Sequence, residues 1–261
     1  MTGQRQAFSR AFIVATAFAV GGCATPPADL QARAAYDEAN DPLEPTNRRI
    51  FEFNRVLDGL LIKNVAELYR TVVPGAVRRS IHHVIVNLNE PVVFANNLLQ
   101  ARLGRGGTTF ARFAVNSTLG LAGIFDVASK MGLEEQTGDF GQTLYSWGVE
   151  DGGPYLVLPF LGPTNPRDGV GMGVDSYIDP WRYVSKDVGI SHFMWTRFVV
   201  ESLDERERAG PELEDIERNS VDFYASLRSL SRQNRAKELD NITPETVAPD
   251  QDLYRDPSAP K

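Results

Sequence analysis

Cysteine and histidine are scarce in this sequence. Cys23 is the only cysteine among 261 residues, and the chain has three histidines. A single cysteine excludes a disulfide within the chain and a metal site built from several thiolates. His82 and His83 are adjacent, so they would point in different directions on a helix, and His192 lies far along the chain. We therefore expect no metal and no cofactor.

Sequence motifs of catalysis are also lacking. The chain contains neither the Gly-x-Ser-x-Gly nucleophile elbow nor the His-Glu-x-x-His zinc motif. Residues 169–173 lack the spacing of a dinucleotide-binding loop, so turn or helix-packing glycines are expected there. These absences predict a protein that is not an enzyme. A scattered Ser-His-Asp triad stays open, because sequence order does not reveal one.

Positive charge is in the minority. The chain has 27 lysines and arginines against 34 acids, which gives a formal charge of −7. An acidic chain is unsuited to nucleic acid as a partner, and it does not adhere broadly to anionic lipid. Contact with a membrane would therefore depend on acyl chains and apolar faces.

The N-terminus has the pattern of a bacterial secretory signal. Arg5 and Arg10 precede a short apolar run at residues 11–20, and two glycines stand directly before Cys23. Small residues before a cysteine resemble a lipobox, which predicts cleavage before Cys23 and lipidation of its sulfur and new N-terminus. The run is about half of the ~20 residues that a spanning helix needs. Ala24 follows the cysteine instead of aspartate, which favours a lipid anchor on the periplasmic side of the outer membrane.

Composition divides the chain into five parts. Residues 1–22 form the signal peptide, and residues 23–40 form a small, polar, proline-containing tether that carries the lipid. A helical domain is expected over residues 41–205 and an amphipathic C-terminal helix over residues 206–240. Residues 241–261 are rich in proline and acid and are expected to be a disordered tail.

Helical periodicity dominates between the tether and the tail, so the expected fold class is mainly α. Pro74 should end one helix or restart the next. A further helix is expected from about residue 92 to residue 103, with a stop at the glycine-rich residues 104–107. Gly210 and Pro211 should start the C-terminal helix, which either packs along the body or serves as a coiled-coil or partner helix.

Residues 113–125 (FAVNSTLGLAGIF) contain no charged residue. They are too few to cross a bilayer as a helix, and Gly120 and Gly123 interrupt them. We expect a bent helical hairpin that enters one leaflet or lies at the interface, with a buried core hairpin as the alternative. Residues 154–163 (PYLVLPFLGP) are a second apolar segment, expected to be a buried extended wall or an apolar lip. Tyr155 is a candidate for an interfacial aromatic belt.

Several motifs together resemble the MlaA (VacJ) family of outer-membrane lipoproteins. The resemblance covers roughly residues 40–203, with the motifs in the expected order, and is less clear after Glu201. The motifs are NDPLEPTNR at residues 40–48, FEFNRVLD at 51–58, NEP at 89–91, RFAVNSTLG at 112–120, DFGQTL at 139–144, WG at 147–148, GPY at 153–155, LP at 158–159, GP at 162–163 and RD at 167–168.

The resemblance implies a mainly α, ring-like bundle of amphipathic helices with a helical hairpin, embedded in one leaflet. Family members form a passive channel that removes mislocalised phospholipids from the outer leaflet. They pass these lipids to a soluble periplasmic carrier, MlaC, and so maintain outer-membrane lipid asymmetry. In some bacteria the protein stands beside a trimeric porin. A polar passage lowers the cost of moving a phospholipid headgroup through hydrocarbon.

The resemblance also implies candidate contact residues. Phe53 and Asn54 match a segment associated with gating in the family. The polar stripe after residue 115 would line the passage, and the two glycines would allow its tight hairpin. The candidate channel or lipid-contact residues are Phe53, Asn54, Asn116, Ser117, Thr118, Gly120, Gly123 and Tyr155.

Two functions of other classes stay open. A membrane-anchored lipid hydrolase would need a nucleophilic serine. A structural outer-membrane tether would link the membrane to a porin or the cell wall without moving lipid. Glycine-to-leucine changes at Gly120 or Gly123 separate the channel from the tether, because only the channel depends on the hairpin.

Overall fold

The computed structural model of the protein describes residues 40–190 and 192–242. The expected signal peptide, the lipidation site at Cys23, the tether up to residue 39 and the tail from residue 243 lie outside these ranges. Within them the fold is mainly α, as the sequence predicts. The strands of the described part form a single short antiparallel hairpin, with Leu156 opposite Thr164 and Leu158 opposite Gly162.

Ten α-helices and one π-helical turn follow each other in the described residues. They are α1 (Glu44–Leu57), the π-helical turn (Asp58–Ile62), α2 (Lys63–Val72), α3 (Gly75–Leu99), α4 (Leu103–Thr118), α5 (Val127–Lys130), α6 (Phe140–Ser146), strands β1 (Leu156–Leu158) and β2 (Gly162–Thr164), α7 (Pro166–Ile178), α8 (Pro180–Asp187), α9 (Phe193–Asn219) and α10 (Phe223–Asp240).

The first two helices form one continuous rod. α1 begins with Glu44 and Pro45, a start that suits both the helix dipole and the fixed backbone of proline. The chain then runs through the π-helical turn into α2 without leaving helical geometry. The rod ends at Val73, which is extended, as expected for the residue before Pro74.

α3 is longer than the sequence predicts. Pro74 precedes its first residue, but Pro91 lies inside it, so the helix expected to begin at about residue 92 is part of α3. Proline removes only one intrahelical hydrogen bond, and the helix continues past it. The glycine-rich residues 104–107 do not stop a helix either, because they lie in the first turns of α4. A Cβ at Gly106 would lie 3.3 Å from Cδ2 of Leu98, so glycine lets α4 start close to the end of α3.

The expected start of the C-terminal helix is also wrong. Gly210 and Pro211 lie inside α9, and residues 206–240 are divided between α9 and α10. The break comes at Ser220, which is extended, and Asp222 caps α10 by accepting from the backbone N–H of Ala225 at 3.2 Å. On either side of Pro211, α9 is paired with neighbouring elements, Arg206 with Asp58 of the π-helical turn and Glu214 with Lys63 of α2.

The elements close a circuit. In order of contact, α1, the π-helical turn, α2, α9, α10, β2 and β1 each touch the next, and β1 touches α1 again. A small apolar core lies where α1, β1 and α10 meet, and it contains Phe51, Tyr155, Val157 and Tyr224. α3 and α4 pack together as a helical hairpin beside this circuit. The result is a ring-like arrangement with little apolar core.

Candidate functional site

Polar side chains fill the interior of this protein. The largest fully buried side chains in the described ranges are all polar or charged: Arg112, Glu90, Asn47, Asn96, Asn97, Thr109, Thr143 and Asp41. Within the described ranges, more large hydrophobic side chains are exposed than buried. A water-soluble protein has the opposite distribution, with charged side chains outside and large apolar side chains inside.

Arg112 and Glu90 form the centre of this interior, between α4 and α3. Nε of Arg112 donates to Oε1 of Glu90 at 2.9 Å, and the two side chains are 1% and 2% exposed. Nη1 of Arg112 donates to Oγ of Ser129 at 3.0 Å and to the carbonyl of Leu133 at 2.6 Å. Nη2 reaches Oδ2 of Asp126 at 3.4 Å. One guanidinium thus ties α3, α4 and α5 together.

The two carboxylates around Arg112 differ in proton affinity. Burial raises the pKa of Glu90 to about 7, although the hydrogen bond and charge of Arg112 oppose the shift. Burial also acts to raise the pKa of Asp126, but hydrogen bonds from Ser129 and Asn116 outweigh it and bring the pKa to about 2. Oε2 of Glu90 has no hydrogen-bond partner among the described residues. Glu90 is therefore the carboxylate of this pair that takes up a proton near neutral pH.

Asn116 closes the turn that follows α4. Its Nδ2 donates to Oδ1 of Asp126 at 3.0 Å, and its Oδ1 accepts from the backbone N–H of Ala128 at 2.9 Å. Its carbonyl accepts from the N–H of Gly123 at 2.8 Å. Gly123 has a φ of +92°, and a Cβ there would lie 2.7 Å from Cβ of Asn87. Both residues therefore maintain the turn, and their contact with lipid stays a prediction.

The other candidates of this segment have different surroundings. Ser117 faces α3, where Nδ2 of Asn87 donates to its hydroxyl at 3.0 Å. Gly120 is buried, and a side chain there would collide with the carbonyl oxygen of Phe125. Thr118 is exposed at the end of α4. Of the predicted polar stripe, Thr118 alone has the exposure that contact with a lipid would need.

Residues 113–125 form one helical end and a turn, and the helical hairpin of the fold is made by α3 and α4 instead. Leu121, Ala122 and Gly123 all have positive φ, which cannot continue a right-handed helix. The alternative of a buried core hairpin is wrong as well, because the apolar side chains of the turn are exposed. They are Leu119, Leu121, Ile124 and Phe125.

The rod of α1, the π-helical turn and α2 carries its apolar face on the outside. The exposed side chains recur at helical spacing, and they are Phe53, Val56, Leu60, Leu61, Val65, Leu68 and Val72. The polar face meets α9, where Lys63 pairs with Glu214 at 3.1 Å and Arg206 donates to Asp58 at 2.8 Å. Such a helix suits a position in a membrane interface. In residues 40–190 and 192–242, no helix has both the length and the apolarity to span a bilayer.

Two cavities follow each other along α9. The first, of about 640 Å³, lies between α3, α7, α8 and the start of α9, and its lining includes Phe198 and Glu201. The second, of about 370 Å³, lies between α1, the β hairpin, α9 and α10, and its lining mixes Phe160 and Phe223 with charged groups such as Glu205. Both cavities therefore offer amphipathic walls.

Glu205 is the carboxylate of the second cavity that forms no hydrogen bond within the described ranges. Neighbouring acids of α9 do have partners: Oδ2 of Asp204 accepts from Nδ1 of His82 at 2.8 Å, and Glu201 accepts from Asn89 at 2.7 Å. The carboxylate of Glu205 is accessible to water, yet protein surrounds it closely enough for desolvation to raise its pKa. The charges of Glu201 and Asp204 raise the pKa further.

Phe53 and Asn54 join α1 to the tip of the β hairpin. The ring of Phe53 meets that of Phe160 edge to face at 5.5 Å. Nδ2 of Asn54 donates to the carbonyl of Leu158 at 2.9 Å, and its Oδ1 accepts from the N–H of Phe160 at 2.9 Å. Phe160 has a φ of +67°, which a bulky residue adopts only when neighbouring contacts hold it. Asn54 thus supports an exposed lip, Phe160 and Leu161, at the second cavity, and its gating role stays a prediction.

Residues 154–163 are both a wall and a lip, because Val157 is buried and Phe160 is exposed. Tyr155 is also buried, and its ring contacts Tyr224 at 6.1 Å. It packs in the core instead of facing a membrane interface.

Sequence reasoning missed a polar clamp that joins the two ends of the described chain. The carboxylate of Asp41 accepts from Nδ2 of Asn47 at 2.7 Å, from the hydroxyl of Tyr224 and from Nη1 of Arg228 at 2.8 Å. Asn47 also donates to the carbonyl of Tyr155 at 2.9 Å. The motif at residues 40–48 contains Asp41 and Asn47, but nothing in it identifies partners on α10.

A second missed cluster attaches the end of α10. Arg235 donates to both carboxylate oxygens of Asp139 at 2.7 and 2.8 Å and to both of Asp168 at 2.8 and 2.9 Å. A Cβ at Gly171 would lie 3.0 Å from Cα of Gly141, so these two glycines let α6 and α7 cross at close range next to the cluster. The prediction of helix-packing glycines in residues 169–173 is confirmed at Gly171.

The family model described as MlaA lipoprotein matches residues 39–238. The chain belongs to the MlaA lipoprotein family. The match to the MlaA family continues past residue 205, where we expected the helical domain to end. It includes all but the last two residues of α10, and with them Tyr224, Arg228 and Arg235 of the two polar clusters.

The similarity of this MlaA-family chain to known proteins extends over most of its length. It is 33% identical over 211 residues to the intermembrane phospholipid transport system lipoprotein MlaA of Escherichia coli (strain K12), which covers 79% of each chain. It is 34% identical over 202 residues to an uncharacterized protein of Rickettsia typhi, which covers 76% of this chain and 77% of that one. A solved structure from work on the structural basis for maintenance of bacterial outer membrane lipid asymmetry matches with a TM-score of 0.67 and 32% identity. It covers 76% of this chain and 98% of that chain.

Proposed function

We propose that this lipoprotein provides a passive path by which phospholipids mislocalised in the outer leaflet leave the outer membrane. It passes them to a periplasmic carrier of the MlaC type and so maintains lipid asymmetry. The phospholipid transport named for the Escherichia coli relative supports this role. The main structural support is the distribution of side chains, because polar groups fill the interior and large apolar groups are exposed.

The outward apolar faces support a position within one leaflet. An exposed apolar stripe along α1 and α2, and the apolar turn after α4, would each be unfavourable in water and favourable in lipid at about 25 cal/mol per Å² of buried area. The described helices are too short or too polar to span a bilayer. A lipid anchor at Cys23 would add to this attachment, since acyl chains contribute about 0.8 kcal/mol per buried methylene.

The interior supports a path for headgroups. A headgroup that enters hydrocarbon loses its hydration, and this loss costs roughly 2–7 kcal/mol for each polar group. The cavity between α1, the β hairpin, α9 and α10 offers Glu205 and Arg206 beside apolar walls. A phospholipid could keep its headgroup on the polar wall while its acyl chains remain among apolar side chains.

A lipid hydrolase finds less support. His82 and Asp204 form a pair at 2.8 Å, which is the part of a catalytic triad that orients a base. The cavity beside this pair is lined by glycine, arginine and acidic residues, and its lining contains no serine within the part of the chain described. No observation favours a purely structural tether.

The proposal is tested by obstructing the cavity inside the circuit. Ser202 lines this cavity from α9, and tryptophan at this position would occupy much of its volume of about 370 Å³. The full-length lipidated protein, with Ser202→Trp or without it, is reconstituted in liposomes that contain fluorescent phosphatidylethanolamine. The purified periplasmic carrier is added, and the lipid it takes up is measured. We expect the Ser202→Trp variant to slow transfer at least tenfold.

Ser229→Trp provides the matched control. Ser229 is exposed on α10 and lies outside the cavities described above, so this variant should transfer lipid at the original rate. Circular dichroism establishes that both variants are folded. Equal transfer by both folded variants would contradict a path through this cavity, and accumulation of lysophospholipid would support the hydrolase instead.

A further inference from the structure

Glu205 is the only charged side chain of the second cavity without a partner in the described part of the chain. This cavity, of about 370 Å³, lies between α1, the β hairpin, α9 and α10. The other charged side chains that line it all stand in ion pairs, which are Arg206 with Asp58 at 2.8 Å, Arg55 with Glu217 at 3.1 Å and Glu214 with Lys63 at 3.1 Å. One negative charge is therefore left over at the wall of the cavity.

The carboxylate of Glu205 lies beside a second unused acceptor on α9. Ser202 lines the same cavity, and its hydroxyl forms no hydrogen bond with residues 40–190 or 192–242. Side chains three positions apart on a helix are neighbours, with Cβ atoms about 5–6 Å apart. A carboxylate and a hydroxyl therefore offer adjacent lone pairs to one donor group in the cavity.

The surrounding protein does not compensate the charge of Glu205. Desolvation raises the pKa of its carboxyl, and the charges of Glu201 and Asp204 raise this pKa further. No cation of the described residues acts in the opposite direction. A charge that is partly removed from water is costly unless it is paired, so a cation that enters the cavity is stabilised beside Glu205.

The chemistry of the wall favours an organic ammonium group over a metal ion. Ca²⁺ takes about six to eight oxygen ligands, whereas the described residues contain no group of three or more His, Cys, Asp or Glu side chains that could hold a metal. The cavity also has apolar walls, which include Val157, Phe160 and Phe223. A cationic group carried on hydrocarbon complements both kinds of surface.

The headgroup of phosphatidylethanolamine has this chemistry. Its primary ammonium carries three N–H donors, as the lysine side chain does. Phosphatidylglycerol has the same phosphate but no cation, so its net negative charge meets the carboxylate of Glu205 without compensation. The difference between the two lipids is thus concentrated in the group that Glu205 can pair with.

We propose that Glu205, with the hydroxyl of Ser202, accepts hydrogen bonds from the ammonium group of phosphatidylethanolamine in the second cavity. The path then favours this lipid over phosphatidylglycerol. This assignment rests on the proposed function, because it takes the second cavity as part of the phospholipid path. It adds the class of headgroup that the path selects.

The test is a competition between the two lipids. The full-length lipidated protein is reconstituted in liposomes that contain equal amounts of phosphatidylethanolamine and phosphatidylglycerol, and the lipids that the periplasmic carrier takes up are quantified by mass spectrometry. We expect Glu205→Gln to lower the ratio of phosphatidylethanolamine to phosphatidylglycerol about fivefold, which corresponds to about 1 kcal/mol. The carrier is the same in every reaction, so its own preference cancels between variants.

Two further variants separate the charge of Glu205 from other effects. Glu205→Asp keeps the charge and should keep most of the preference. Glu212→Gln removes the same charge from an exposed position two turns later on α9, outside the residues that line the cavity, so it should leave the ratio unchanged. Glutamine has the shape of glutamate, and circular dichroism establishes that each variant is folded.

The other outcomes overturn the assignment in distinguishable ways. An unchanged lipid ratio with folded Glu205→Gln and continued transfer would refute the ammonium site and leave the proposed function standing. Equal slowing of both lipids would show that Glu205 serves any lipid or the carrier, and it would also refute selection by the ammonium group. No transfer of either lipid by the unaltered protein would refute the proposed function and, with it, this assignment.

Discussion

Replacing Arg112 with methionine tests whether the buried ionic network holds the polar interior together. The change leaves Glu90, which is 2% exposed, without its cation, and it leaves the carbonyl of Leu133 without its donor at 2.6 Å. Breaking a buried ion pair on one side costs about 3–5 kcal/mol, and an unsatisfied buried acceptor costs about 1–3 kcal/mol. Since whole domains are stable by only about 5–15 kcal/mol, Arg112→Met should remove much of the stability.

The loss should depend on pH. The pKa of Glu90 in the folded protein is about 7, above the ordinary value of 4.5. The contribution of this carboxyl to stability is therefore full below about pH 4.5 and is lost as pH rises through 7. Without Arg112 the pKa of Glu90 rises further, because the guanidinium is the group that lowers it. At pH 5 the carboxyl is neutral, so Arg112→Met should cost less there than at pH 8.

Unfolding by guanidinium chloride in mild detergent, followed by tryptophan fluorescence at pH 5 and pH 8, measures the loss of stability and its dependence on pH. Combining Arg112→Met with Glu90→Leu provides the control, because replacing both members of a buried pair by apolar residues is often neutral or stabilising. The double variant should recover most of the loss at pH 8. A loss below about 1 kcal/mol at pH 8, or the same loss at both pH values, would refute a buried ion pair as the centre of the interior.

Two further changes test the turn after α4 and the β-hairpin lip. Gly123→Ala should destabilise the protein by more than the about 1–2 kcal/mol of the left-handed backbone alone, because its Cβ also meets Asn87. Gly132→Ala, with a similar φ but open space around it, should show only the backbone cost in the same denaturation assay. Asn54→Ala should accelerate hydrogen exchange at the N–H of Phe160, which then loses its acceptor at 2.9 Å. Unchanged exchange there would mean that the lip does not depend on Asn54.

The helix boundaries that the sequence did not predict share one physical cause. Pro91 and Pro211 lie inside helices, and residues 104–107 lie in the first turns of one. Local rules treat proline and glycine as breaks because of their cost in an isolated helix. In α9 the residues on either side of Pro211 pair with other elements, Arg206 with Asp58 and Glu214 with Lys63, and in α4 the missing Cβ at Gly106 permits close packing on α3. Such tertiary contacts cannot be read from local sequence.

Hydrogen bonds and ion pairs between residues far apart in the sequence were the other feature that could not be predicted. The motif at residues 40–48 and α10 both contain conspicuous charges, but their pairing depends on a circuit that brings the two ends of the chain together. Asp41 and Arg228 are 187 positions apart. By contrast, the apolar segments and their proline and glycine interruptions were visible in the sequence, because apolarity and backbone restriction are local properties.

Sequence pattern alone is most misleading about which face of an amphipathic helix is buried. In α4, the buried side chains Thr109, Arg112 and Asn116 recur at helical spacing, and a rule derived from water-soluble proteins would place that polar face outside. The pattern defines two faces, but the surrounding solvent determines which one is buried. Amide and guanidinium groups can be enclosed here because Glu90, Asp126 and backbone carbonyls satisfy them. With polar needs met inside, the apolar side chains are left at the surface, which is the arrangement that the proposed position in lipid requires.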